Sequence, residues 1–279
     1  MELLKEGVFE GERALYNKSA LRIENSVFEN GESPLKECRD IEIDSCIFKW
    51  KYPLWYSENV LATGTVLLDT ARSGIWYTKN IRMENSFIEA PKTFRRTEGI
   101  TLINCKIPNG LETFWSCADI KAENLDAKGD YMFMNSQNIE IENFTLDGNY
   151  AFDGAKNVTV KNARMLSKDA FWNTENVVVY DSVIIGEYLG WNSKNLKFIN
   201  CTIESNQGLC YIENLELVNC KLINTDLAFE LSTVNAEVTS KIISVKNPIS
   251  GKIRAEEIGE IILDKDIIDP EKTLIVTKK

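Results

Sequence analysis

The sequence predicts an all-β fold, a single-stranded right-handed parallel β-helix (a solenoid) of about 11–12 coils, each of 19–21 residues with three short strands. Three observations predict it. A short motif recurs at a nearly constant interval, apolar residues hold fixed offsets inside each interval, and asparagine recurs where the chain has to turn.

The interval is read from the residue that ends each apolar-x-apolar-x-Asn stretch. These anchors are Asn25, Ser45, Gly64, Asn85, Asn104, Asn124, Asn143, Asn162, Asp181, Asn200 and Asn219, spaced 20, 19, 21, 19, 20, 19, 19, 19, 19 and 19 apart. A propeller blade needs about 40–45 residues, so this interval is too short for one. The leucine spacing and helical turn of a leucine-rich repeat are not visible.

Four and two residues before each anchor lie two apolar columns, running from Leu21 and Ile23 in the first repeat to Leu215 and Leu217 in the last. Polar residues fall between them, the alternation of a short strand with one buried face. Three residues after the anchor a second inward strand carries Phe28, Phe48, Leu67, Ile88 and their successors to Leu222. Ten residues before it a third column holds Leu35, Leu54, Ile75, Phe94, Phe114, Phe133, Phe152, Phe171 and Leu209, with Gly190 the one gap. Three inward strands per repeat make three walls.

Asparagine suits the anchor because it tolerates the left-handed conformation of a sharp turn better than other residues with a side chain. Coils stack about 4.8 Å apart, so amides in one column can bond along the stack. A second such column lies five residues before the anchor, with Asn59, Asn80, Asn138, Asn157, Asn176, Asn195, Asn214, Asp40 and Asp119. Both columns read as structural. Open ends of a stack expose strand edges. Residues 1–18 are therefore expected to form an N-terminal cap, 19–240 the β-helix, and 241–279 irregular coils and a C-terminal cap.

A formal charge of −10 argues against nucleic acid and anionic membranes as partners. No apolar run approaches a membrane span, and the first residues lack the basic start and apolar stretch of a secretory signal, so a cytoplasmic location is expected. The seven cysteines form no CxxC pair and read as small, reduced core residues, with Cys201 and Cys220 neighbours in the stack. No metal site and no cofactor are expected. The chain has no histidine, which excludes Ser-His-Asp and Cys-His nucleophilic sites and histidine-ligated zinc.

The repeated forms KNIRMENSFI (79–88), KNLKFINCTI (194–203) and ENLELVNCKL (213–222) resemble the pectin-lyase-like superfamily of right-handed β-helix proteins. More narrowly they resemble a bacterial family of unknown function expected to be single-stranded β-helices. The wider resemblance implies binding or cleavage of acidic or neutral polysaccharides. The chain departs from that pattern, since it has no adjacent aspartate pair, no histidine and no acidic cluster on one wall.

One column breaks the structural pattern. Nine residues before the anchor stand Lys36, Trp55, Trp76, Arg95, Trp115, Met134, Asp153, Trp172, Trp191 and Cys210, which include five of the six tryptophans. The next column adds Tyr56, Tyr77, Arg96 and Tyr211. The inward column beside them makes this strip point outward, and exposed apolar strips mark binding sites. The expected substrate-binding residues are Trp55, Trp76, Arg95, Arg96, Trp115, Trp172, Trp191, Tyr56 and Tyr77, facing a carbohydrate-like or other extended ligand. Alternatives are a homo-oligomer or protein interface through the same strip, a covered second core, or a polysaccharide lyase or glycoside hydrolase. For catalysis the candidates are Asp153 and Arg95, with Glu112 or Asp169 near the strip's edge, but no complete catalytic motif is present.

Overall fold

The computed structural model describes residues 1–278. The chain forms two compact units, Met1–Thr145 and the part from Leu146 onward, and each is a stack of parallel β-coils. The architecture is that of a right-handed β-helix, with no α-helix among the described residues.

In the first unit one wall is built by residues in continuous parallel register. Glu2 pairs with Leu21, then Leu21 with Ile41, Ile41 with Val60, Val60 with Ile81, Ile81 with Ile100 and Ile100 with Ile120. From Leu21 onward these side chains are buried. The anchors that follow turn the chain through the left-handed region, with φ of 49° at Asn25, 55° at Ser45, 57° at Gly64 and 48° at Asn85.

Identical residues at identical coil positions must lie one above another. Phe28 stacks on Phe9 at 4.9 Å and on Phe48 at 4.4 Å, while Phe94, Phe114 and Phe133 stack at 4.8 and 4.5 Å. These separations are the coil spacing itself, so the ring planes come out nearly parallel.

The second unit repeats the scheme. Val158, Val177, Leu196, Leu215, Val234, Gly251 and Thr273 follow one another in register. The gap at Gly190 has a packing cause. A Cβ there would lie 2.7 Å from the Leu196 side chain and 3.0 Å from Ile212, which fill the space.

Parallel pairing extends into both ends. Glu2–Lys5 and Val8–Phe9 pair in parallel with Ser19–Glu24 and Val27–Phe28, so residues 1–18 are themselves a coil. Beyond residue 240, Ser250–Ala255 and Thr273–Thr277 continue the wall in parallel register. About fifteen coils result, against the expected 11–12. The interval explains the shortfall. It contracts to 17 residues from Val234 to Gly251 and grows to 22 from Gly251 to Thr273, and Glu2 holds a position that is apolar elsewhere.

The amide ladders run in one direction. In the first unit Asn104, Asn124 and Asn143 each donate from Nδ2 to the Oδ1 of the preceding coil's asparagine, at 3.2, 2.7 and 2.9 Å. In the second, Asn176, Asn195 and Asn214 do the same at 3.0, 2.8 and 2.8 Å. A carboxylate only accepts, and Asp40, Asp119 and Asp181 each receive an amide from the next coil, from Asn59, Asn138 and Asn200.

The seven cysteines are free and buried. Cys105 and Cys220 direct their thiols to backbone carbonyls of the preceding coil, Met83 and Phe198, at 3.5 and 3.4 Å. Burial pushes the Cys117 and Cys210 thiols up to about 12, the mark of inert rather than nucleophilic sulfur.

Candidate binding surface

Tyr56, Tyr77 and Arg96, eight residues before their anchors, have φ of 57°, 59° and 49°. That left-handed step suspends the in-out alternation of a strand. Two consecutive residues, nine and eight before the anchor, therefore both leave the core side.

In the first unit Trp55, Trp76 and Trp115 are half-buried rather than open. Each indole Nε1–H donates to a backbone carbonyl of the following coil: Trp55 to Ser73 at 2.6 Å, Trp76 to Lys92 at 2.8 Å and Trp115 to Tyr131 at 2.7 Å. The accepting residues are twelve before their anchors, a further left-handed column with φ of 54° at Ser73, 55° at Lys92 and 59° at Tyr131. Pinned this way, the rings stack along the coil axis. Trp55 and Trp76 lie 5.2 Å apart with planes 8° from parallel. The strip expected to display indole faces instead turns those faces onto one another and leaves their edges at the surface.

Arg95 takes a tryptophan's place in this stack. Its guanidinium carbon lies 4.6 Å from the Trp76 ring and 4.7 Å from Trp115, a cation held between two indoles. Where tryptophan would reach the next coil's backbone, Arg95 Nη2 approaches the Glu112 carboxylate at 3.4 Å. Lys92 Nζ contacts the same oxygen, Oε2, at 2.9 Å. Arg95 Nε is the one buried side-chain nitrogen or oxygen without a hydrogen-bond partner among the described residues.

A second ladder runs beside the first. Tyr56 and Tyr77 stack at 4.7 Å and 5°. Lys36 Nζ stands 5.7 Å from the Tyr56 ring, and the Arg96 guanidinium 5.9 Å from Tyr77. Tyr56 is 48% exposed. Arg96 is exposed and forms no ion pair among the described residues. Trp55, Trp76, Arg95, Trp115, Tyr56, Tyr77 and Arg96 thus come together as one wall.

The second unit carries its own aromatic tract. Trp172 and Trp191 stack at 5.6 Å and donate to the carbonyls of Tyr188 and Gln207 at 2.6 and 3.1 Å. Tyr150, Tyr188 and Tyr211 meet these indoles edge-on. Asp153 accepts from Asn173 Nδ2 at 2.7 Å and so begins a short amide ladder that Asn192 continues. Nearby in sequence, an open groove of about 420 Å³ is lined by Asp147, Leu166, Lys168, Ile185, Glu187 and Glu204 among others. Its carboxylates are engaged, Glu187 with Lys168 at 3.0 Å and Glu204 with Asn224 at 2.9 Å. No group of three or more metal-ligating side chains is assembled among the described residues.

Burial raises the Asp169 carboxyl above its ordinary range, the Tyr150 hydrogen bond opposes that, and Glu187 adds to it. A carboxyl raised in the folded state disfavours folding once it ionises. The cost is absent below the unfolded value and complete above the folded one. Asp169→Asn keeps an acceptor for Tyr150 and suits φ of 54°. The variant is expected to raise the melting temperature at pH 7 and leave it nearly unchanged at pH 3. A loss of stability at pH 7 would contradict this account.

Lys92 is the part of this wall that sequence reasoning missed. It belongs to the column twelve before the anchor, whose members share a backbone conformation and no chemistry: Tyr52, Ser73, Lys92, Glu112 and Tyr131 in the first unit.

A protein-family profile, described as a protein of unknown function, matches residues 2–276. No curated protein matches the chain. Among solved structures it is similar to PfbA, a surface adhesin of Streptococcus pneumoniae, with 11% identity, 85% of this chain and 72% of that one covered, and a TM-score of 0.39. It is also similar to the A-module of the Azotobacter vinelandii mannuronan C-5 epimerase AlgE4, with 10% identity, coverage of 98% and 88%, and a TM-score of 0.31. At these values the likenesses carry no statement about activity.

Proposed function

We propose that this chain, which belongs to the DUF3737 family of proteins of unknown function, binds an extended, carbohydrate-like ligand across the aromatic wall of its first unit. The observation that carries the reading is the Tyr56–Tyr77 pair, stacked, flanked by Lys36 and Arg96, with Tyr56 exposed and Tyr77 half-buried, at a wall whose indoles are all pinned. A surface already fixed by internal contacts loses little conformational freedom on binding. Tyrosine there offers an apolar ring edge beside a hydroxyl. The contact is therefore made by ring edges, tyrosine hydroxyls and guanidinium groups, not by open indole faces. Stacked coils present these groups about every 4.8 Å, close to the length of one pyranose unit. Both residues with catalytic potential are committed to ladder contacts, Arg95 between indoles and Asp153 under Asn173, which favours binding over turnover.

The test is a titration of the protein with a panel of neutral and charged oligosaccharides, followed by tryptophan emission. At least one member is expected to bind, and Tyr56→Ala/Tyr77→Ala is expected to weaken it about ten-fold or more, as loss of roughly 1 kcal/mol per ring implies. Absence of binding across the panel, or full affinity in the double variant, would overturn the reading.

A further inference from the structure

We propose that Lys92 and Arg95 form an anion seat and that Glu112 is its built-in occupant, so that an acidic group on the ligand binds there in exchange with the Glu112 carboxylate. The inference rests on the binding reading above and adds the ligand's charge class and the residue that sets its affinity.

The wall concentrates positive charge in a chain that is acidic as a whole. Lys92, Arg95 and Arg96 lie within one coil on it, while the net charge of the chain is −10. Glu112 meets this charge incompletely. A single oxygen, Oε2, serves both Lys92 and Arg95, at 2.9 and 3.4 Å, and Oε1 has no cationic partner among the described residues. The Arg95 contact is long for a charged pair, which normally closes to about 2.7–2.9 Å. A guanidinium has five N–H donors, and among the described residues this one makes that single hydrogen bond while its Nε is buried without any. Its place between the Trp76 and Trp115 rings nevertheless restrains the group. An arginine restrained with its donors unused is prepared for a two-oxygen acceptor, a carboxylate or a sulfate. One further cation, Arg96, forms no ion pair among the described residues and extends the seat along the wall.

Glu112 occupies the place where such an acceptor would sit. Its side chain is 24% exposed, as is that of Arg95, so the pair can be reached from solvent. Removing the carboxylate while keeping the shape should open the seat. Gln207 holds the same coil position in the second unit with φ of 44°, so a glutamine fits the left-handed backbone at Glu112, where φ is 52°.

The experiment compares Glu112→Gln with the unaltered protein against dextran sulfate, uncharged dextran and cationic DEAE-dextran, three polymers that differ only in charge class. Circular dichroism verifies the fold of each protein. The expected result is binding of dextran sulfate alone, roughly three- to ten-fold tighter in Glu112→Gln, a gain discounted for the partial exposure of the pair. Lys92→Ala is expected to weaken the same interaction. Equal affinity for dextran sulfate in the two proteins, or weaker binding by Glu112→Gln, would overturn the seat. Preference for the uncharged polymer would overturn the charge class but leave the binding reading standing. Failure of every polymer and of the oligosaccharide panel would overturn both.

Discussion

Replacing Phe114 by alanine is expected to lower stability by about 3–5 kcal/mol. The ring is fully buried, with Phe94 on one face at 4.8 Å and Phe133 on the other at 4.5 Å. The coils on either side are tied by backbone hydrogen bonds, Phe133 N to Thr113 O at 3.0 Å and Trp115 N to Phe94 O at 3.2 Å, so the cavity cannot close by moving a wall. The backbone supplies a control. Phe114 adopts φ of 63°, a left-handed conformation that costs a bulky residue about 1–3 kcal/mol. Phe114→Gly loses the same ring but relaxes that cost, so it is expected to be no less stable than Phe114→Ala, reversing the usual order of glycine and alanine. Urea unfolding of both variants decides the matter. A glycine variant clearly weaker than the alanine one would show that the left-handed backbone carries no strain there.

Arg95→Trp is expected to act in the opposite direction on stability and to remove selectivity for anions. The new indole would complete a stack from Trp76 to Trp115, and its N–H would face the carbonyl of Glu112, as its counterparts face Ser73, Lys92 and Tyr131. Two added aromatic contacts are worth about 0.5–1.5 kcal/mol each. Deleting a buried donor without a partner removes a penalty of about 1–3 kcal/mol. The cation–π contacts given up are worth about 0.5–1 kcal/mol each at exposed sites. The balance is a gain of about 1–3 kcal/mol by these same terms. Binding of an anionic polymer, by contrast, should fall about ten-fold or more, since one charge-assisted contact is lost. A destabilised Arg95→Trp would mean that arginine is retained for the fold. Retained stability with lost affinity would mark it as a residue kept for its ligand.

The walls and turns of this protein are legible in its sequence because their causes are local. An inward residue in a short strand must be apolar, and a left-handed turn favours asparagine, so Ile81 with Met83 and Asn85 announces its own geometry. The last coils are less legible because the interval fails there, at 17 and 22 residues, and the first because Glu2 stands where the later coils are apolar. The aromatic wall is half legible. The column of Trp55, Trp76 and Trp115 shows which residues leave the core, but side-chain torsions decide whether faces or edges meet solvent. Those torsions follow from a carbonyl in the next coil. Lys92 could not be placed on the wall from its neighbours in sequence, because its column is unified by backbone conformation alone.

The one-way amide ladders have a consequence for the ageing of the protein. Slow loss of ammonia converts asparagine to aspartate, which accepts but does not donate. At Asn124 that conversion would leave the bond from Asn143 intact, since it needs only an acceptor, and would sever the bond to Asn104, which needs a donor. Damage at a mid-ladder position therefore opens one rung, always the rung toward the N-terminal side. At the first asparagine of a run the same conversion produces the arrangement that Asp40 and Asp119 already have. The stack is thus built with a direction along which chemical wear is tolerated at one end and felt at every step beyond it.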